Sequence, residues 1–139
     1  MLALTPQVYH QIINYGMTGA PQETCGFIAG PGQVGSIFYP IPNVAADRYQ
    51  TFYMDPAAQL KALLEIERQG LELVAIYHTH PPGQGDQLSV SDRSAAQAYP
   101  GITHLLLLLG WSVRPASLRA FEVFGDTVEE RPLLIQSML

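Results

Sequence analysis

His78 and His80 stand two residues apart, and Asp92 follows them across a loop rich in proline and glycine. Imidazole nitrogens and carboxylate oxygens are first-choice ligands for zinc. The stretch before them, Leu71-Glu72-Leu73-Val74-Ala75-Ile76-Tyr77, reads as a buried strand. Strand side chains alternate between faces, so Val74, Ile76, His78 and His80 are expected on one face. Two apolar residues then lie deep and two imidazoles lie at the carboxyl end, where α/β sheets gather their ligands. Pro81-Pro82-Gly83 stops the strand. Ser89 opens a helix that carries Asp92 in its first turn. Two imidazoles and one carboxylate leave the fourth position of a zinc ion open, as in catalytic rather than structural sites.

Each feature also has an ordinary reading. A lone histidine on an apolar face is usually a core residue. Ser89-x-x-Asp92 alone is a capping box, and Pro-Pro-Gly is turn chemistry. The metal reading outweighs these because all three occur in the right order within one short segment.

With Glu23 upstream in Pro21-Gln22-Glu23-Thr24-Cys25-Gly26, the series His78-Thr79-His80-Pro81 and Ser89-x-x-Asp92 resembles the JAMM motif. That motif belongs to the Mov34/MPN/PAD (MPN+) zinc metallopeptidases. Its pattern is a distant Glu, then His-Ser/Thr-His-Pro, a short loop and Ser-x-x-Asp. The likeness runs from Glu23 to Asp92, about half the chain. Pro81 to Leu88 separates the second histidine from the serine, one residue more than the family's usual form.

The resemblance implies one Zn2+ per chain, held by His78, His80 and Asp92. It implies Glu23 as the general base that moves the proton of a water to the leaving amine. Ser89 is implied as the donor to the oxyanion. Without the resemblance, Glu23 is a loop carboxylate like any other. The implied reaction is hydrolysis of a peptide or isopeptide bond. The chain is about the size of the bare domain and resembles the compact prokaryotic branch. That branch implies a ubiquitin-like sulfur-carrier protein as substrate, cut at its C-terminal tail. The loop Pro81 to Leu88 is then expected to form one wall of a groove for that tail. Two other readings use the same residues. One is a non-haem iron enzyme with a two-His-one-carboxylate triad, which gives Glu23 and Ser89 no role. The other is a non-catalytic MPN-type interaction scaffold, whose relatives lack the ligands present here.

The 139 residues predict a single domain over 1–139. Charged residues are only 14%, against about 25% in ordinary chains, which points to efficient burial or an apolar surface for a partner. A net charge of -5 and scattered basic residues argue against nucleic acid. No apolar run is long enough for a membrane span. Met1-Leu2-Ala3-Leu4 lacks the basic start of a signal peptide. Cys25, the one cysteine, fits a reducing, cytoplasmic setting. It reads as a buried, inert thiol. Homodimerisation is left open.

Thr5-Pro6 and Asp55-Pro56 are cap-then-proline helix starts. The first helix shows Val8, Ile12 and Ile13 on one face. The second shows Leu60, Leu63, Leu64 and Ile66, ending near Gly70. A third runs from Ser89 to about Tyr99. Cys25 to Gly30 and Gly35 to Ile41 read as a hairpin, and Asn43 to Phe52 as an irregular connection. His104 to Leu109, Leu118 to Phe124 and Thr127 to Arg131 read as strands, with Leu133 to Leu139 an apolar end. His10 and His104 read as structural, and Asp55 as a cap. The mix gives a three-layer α/β domain. The resemblance implies a curved mixed β-sheet flanked by helices, the MPN (cytidine-deaminase-like) fold.

Overall fold

The computed structural model describes residues 1–110 and 116–136. Thr5 caps the first helix by accepting the Val8 N–H at 3.3 Å, with Pro6 in the first turn. Asp55 does the same for the second, accepting from Ala58 N–H at 2.9 Å. The chain runs β1 (Leu2–Leu4), α1 (Pro6–Gly19), β2 (Cys25–Gly30), β3 (Val34–Gly35), β4 (Ile37–Ile41) and α2 (Pro56–Arg68). It continues through β5 (Glu72–His80), α3 (Val90–Ala96), β6 (Thr103–Leu109), β7 (Ala116–Phe124), β8 (Thr127–Arg131) and β9 (Leu133–Ile135).

Six strands form a mixed sheet in the order β4-β2-β5-β6-β7-β8, in which only β5 and β6 run parallel. The α3 segment is the crossover between those two strands, as a parallel pair requires. Alternation along the strands sends side chains to two cores. Ile28, Tyr77, Leu105 and Leu107 pack on one face with Val8 and Ile12 of α1. Phe27, Ala29 and Ile76 pack on the other with Ala62 and Ile66 of α2. The expected α/β layering, helices on both faces of a mixed sheet, is what the chain adopts.

Four details differ from the sequence reading. Val74 does not share a face with Ile76. The β2–β5 register shifts between Ile28↔Ala75 and Ala29↔Leu73, so Val74 is the extra residue of a β-bulge. The bulge turns Val74 into the α1-side core, while Ile76 stays on the α2 side. On α2, Leu60 and Leu64 face solvent, at 59% and 56% exposure, and the buried pair is Ala62 and Ile66. Ala at 62 lets the helix approach the sheet closely, which a stripe of leucines could not do. The third helix is a short α3 that ends at Ala96, well before Tyr99. Finally, Leu2–Leu4 pairs in parallel with both β3 and β9, forming a small second sheet over the α1-side core. Three-residue strands leave too little periodicity to be read from sequence. Of the apolar C-terminal stretch, Ser137 to Leu139 lie outside the described residues.

Candidate metal centre

Both histidines leave the carboxyl end of β5 toward the α2 side, and Asp92 reaches the same point from the first turn of α3. His78, His80 and Asp92 are 0%, 3% and 6% exposed, so their charges and lone pairs lie out of water. His78 Nε2 and His80 Nε2 are 3.3 Å apart. Asp92 Oδ2 lies 3.2 Å from the first and 3.0 Å from the second. A tetrahedral ion with bonds of about 2.0–2.1 Å to nitrogen and oxygen separates its ligand atoms by about 3.3–3.4 Å. The three atoms thus form one face of a tetrahedron at close to the size zinc requires.

The second contacts of these groups fix their lone pairs. His80 Nδ1 donates to the Gly85 carbonyl at 3.1 Å, which turns Nε2 toward Asp92 Oδ2. Gly83 and Gly85 have φ of +93° and +86°, and a Cβ on either would meet nothing within 4 Å. Conformation rather than crowding therefore calls for glycine, and at Gly85 it turns a carbonyl onto the ligand. His78 Nδ1 has no hydrogen-bond partner among the described residues. Its ring is held instead by Phe52, stacked at 4.5 Å between centroids and 23° between planes. Asp92 Oδ2 also accepts the Ser89 N–H at 2.8 Å, while Asp92 N–H donates to Ser89 Oγ at 3.0 Å. The capping box is therefore real, and it orients the carboxylate. Ser89 itself is exposed, and its hydroxyl hydrogen is free to donate.

Burial sets the protonation states. It lowers His78, which favours the neutral ligand form. It also opposes charge on His80, but the hydrogen bond to Asp92 and that to Gly85 outweigh it and raise the imidazole. Burial would raise Asp92, yet hydrogen bonds from His78, His80 and the Ser89 amide hold it far below the usual carboxylate range. Three atoms whose lone pairs converge in this way need a proton or a cation among them.

Glu23 lies just before β2, on the His78 face, and is 1% exposed. Its carboxylate comes within 4.8 Å of the other three ligand atoms. Among the described residues neither oxygen has a hydrogen-bond partner, and burial pushes the group up to about 8. Its backbone, by contrast, is tied down. Its N–H donates to the Arg48 carbonyl at 2.7 Å, and its carbonyl accepts from Asn43 Nδ2 at 2.9 Å. Asn43 also donates to the Thr51 carbonyl and accepts from Ala45 and Tyr53 N–H, so one side chain shapes the whole irregular connection. Asn43, Phe52, Thr79 and Gly85 were not read as site residues from sequence. Only Thr79, between the two histidines, carries a spacing that could have marked it.

The other residues weighed from sequence are not members of this group of four. Cys25 is fully buried and donates to the Ile41 carbonyl; burial, with Glu23 nearby, pushes its thiol up to about 12. That thiol is inert near neutral pH. His104 is buried, and burial with His78 nearby lowers it to about 4. It lines an apolar cavity of about 270 Å³ with Phe52, Met54 and Tyr99.

A family model described as prokaryotic homologs of the JAB domain matches residues 5–123. The chain belongs to this family. Among curated relatives of this JAB-domain protein, a probable TtuB-protein conjugate cleaving protease of Thermus thermophilus is 39% identical over 90 residues. That match covers 56% of this chain and 60% of the Thermus protein. A CysO-cysteine peptidase of Mycobacterium tuberculosis is 26% identical over 96% of this chain and 90% of its own length. A desampylase of Pyrococcus furiosus is 36% identical over 55% of this chain and 54% of its own. The chain thus matches little more than half the length of two of these three. Solved structures share the fold. A protein from Desulfitobacterium hafniense superposes with a TM-score of 0.85 at 24% identity, over 100% of this chain and 95% of its own. A JAB1/MPN domain protein from Archaeoglobus fulgidus does so at 0.66 and 16% identity, over 98% and 100%. The buried Glu23, His78, His80 and Asp92 group, in a JAB domain, points to a metal ion. No helix among the described residues is long and apolar enough to cross a membrane.

Proposed function

We propose that this protein is a single-domain, zinc-dependent peptidase or isopeptidase that cuts the amide bond at the carboxyl end of a ubiquitin-like sulfur-carrier protein. One observation carries the reading. Three ligand atoms at 3.0–3.3 Å spacing share a buried site with a carboxylate that has no hydrogen-bond partner among the described residues. A structural zinc site would use four protein ligands and have no need of an orphaned acid beside them. His78, His80 and Asp92 would hold the zinc, which when bound would supply a Lewis acid and make a water there acidic near neutral pH. Glu23 takes a proton from the attacking water and delivers it to the leaving amine. A cation beside it favours its ionised form, offsetting the burial that otherwise keeps it neutral. Ser89 offers its hydroxyl to the oxygen that gains charge. The loop from Pro81 to Leu88 forms a wall of the groove for the substrate tail.

The substrate class rests on the relatives, which are named for cleaving protein conjugates or a carrier–cysteine bond. The lone buried Cys25 is consistent with a cytoplasmic setting. The test uses protein purified without added metal. Elemental analysis should give one zinc per chain. A folded ubiquitin-like carrier with a Gly-Gly-X tail should be cut far faster than a free Gly-Gly-X peptide. Equal rates on unfolded peptides would leave a general metallopeptidase, and stoichiometric iron would remove the zinc reading.

A further inference from the structure

The ladder between β2 and β5 ends at Cys25↔His78, two residues short of Glu23. Beyond that point a side chain takes over. Thr79 N–H donates to the Thr24 carbonyl at 2.9 Å, as the ladder dictates. The returning bond comes from Thr24 N–H to Thr79 Oγ1, at 2.8 Å. Thr79 lies between the two ligand histidines and faces the opposite side of the sheet. One residue therefore holds the imidazole pair by its backbone and the Glu23 segment by its hydroxyl.

The hydroxyl is part of a chain whose direction is determined. The Ile12 carbonyl can only accept, so Tyr77 Oη donates to it at 3.0 Å. Thr24 Oγ1 must then donate to Tyr77 Oη at 2.8 Å, and Thr79 donates to Thr24 Oγ1 at 3.3 Å. Thr79 Oγ1 keeps its lone pairs for the Thr24 amide. All three side chains are buried, at 8% exposure or less. Helix α1 closes over them, and a Cβ on Gly16 would lie 2.8 Å from Thr79 Cγ2.

We infer that Thr79 is a positioning residue for Glu23: its hydroxyl fixes the Thr24 amide, and through it the carboxylate, against the His78–His80 pair. Among the described residues no hydrogen bond positions the Glu23 carboxylate, whose two oxygens have no partner there. Its place is set by its backbone, held on one side by Arg48 and Asn43 and on the other by Thr79. The inference rests on the proposed role of Glu23 as base.

The experiment compares Thr79→Val, which keeps the shape and removes the acceptor, with Thr79→Ser, which keeps the acceptor. In Thr79→Val, kcat on a carrier fusion should fall about 10- to 100-fold, the scale of a displaced catalytic group, with KM within about 2-fold. Zinc should stay at the wild-type stoichiometry. Thr79→Ser should recover kcat to within about 3-fold. In a Glu23→Gln background, Thr79→Val should change kcat by less than about 2-fold, because the group it positions is already disabled. Multiplicative effects in that double variant would overturn the inference, as would loss of zinc from Thr79→Val. Full activity of Glu23→Gln alone would instead remove the base reading. Should Thr79→Val not fold, amide exchange in the wild-type protein decides. The Thr24 N–H should be protected although it has no backbone partner, and free exchange there would overturn the inference.

Discussion

The two halves of the centre are held by opposite means. His78, His80 and Asp92 are fixed through their functional groups: imidazole to carboxylate, imidazole to the Gly85 carbonyl, carboxylate to the Ser89 amide, ring on the Phe52 ring. Glu23 is fixed through its main chain, and among the described residues its carboxylate accepts no hydrogen bond. The difference follows from what each group has to do. A ligand should present one lone pair in one direction, and every added hydrogen bond helps. A group that collects and releases a proton is weakened by a permanent donor, because that donor stabilises the charged form and lowers basicity. Orientation must then come from the backbone.

The largest effect should come from removing a ligand. His78→Ala or His80→Ala should lose most of the metal, measured by elemental analysis after purification. Loss of either leaves two ligands and an acceptor facing open space. Full retention in both variants would break the comparison, since those atoms would then not be ligands.

Glu23→Gln tests the other half. Glutamine keeps shape and polarity but cannot take the proton. Metal content should be unchanged, and the hydrolysis rate should fall by about 10²–10⁴-fold. Metal loss would move Glu23 into the ligand half. Ser89→Ala should come next, with a rate loss of about 10²–10³-fold for the missing donor. It should also lose about 1 kcal/mol of stability, because Ser89 caps α3. A stability loss without a rate loss would leave Ser89 a cap alone.

Phe52→Ala should weaken metal binding by about 10-fold, the low end for a group that orients a ligand from outside. Competition against a chelator measures this, with Phe52→Leu as a variant that retains bulk but not a flat ring. Phe52 sits in the irregular connection, and nothing in its neighbours announces a ring stacked on a histidine. That marks where the sequence stops being legible. The ligands could be read because strand alternation and a capping pattern are local rules, and both hold: the His78–His80 face and the Ser89–Asp92 box lie where spacing puts them. Whatever depends on contact between distant segments could not be read. Asn43 organises its loop through bonds up to 20 residues away, and Thr24 meets Thr79 across 55. Val74 was misplaced by a one-residue bulge that no pattern of apolar residues encodes. Leu60 and Leu64 were assigned to the core from hydrophobicity, whereas close packing chose Ala62.

A pH dependence addresses the orphaned carboxylate directly. In metal-free protein, burial raises Glu23 to about 8 from an ordinary value of 4.5. The folded state therefore keeps a proton that the unfolded chain releases. Below the unfolded value both states are protonated, and the residue's contribution to stability is fully present. As pH rises toward about 8, the unfolded chain gains by ionising and the fold does not, so that contribution is progressively lost. Glutamine has no proton to lose. The difference in melting temperature between Glu23→Gln and wild type, both in chelator, should then grow in favour of the variant from about pH 4.5 to about pH 8 and level off above it. The titrations of His78, His80 and Asp92 occur in both proteins and cancel, apart from their coupling to Glu23. Adding zinc should shrink the slope, because a neighbouring cation lets the folded carboxylate ionise earlier. A difference that stays flat across this range would mean that Glu23 is solvated in the fold, and the contrast between a held ligand set and an unpartnered base would fail at its second member.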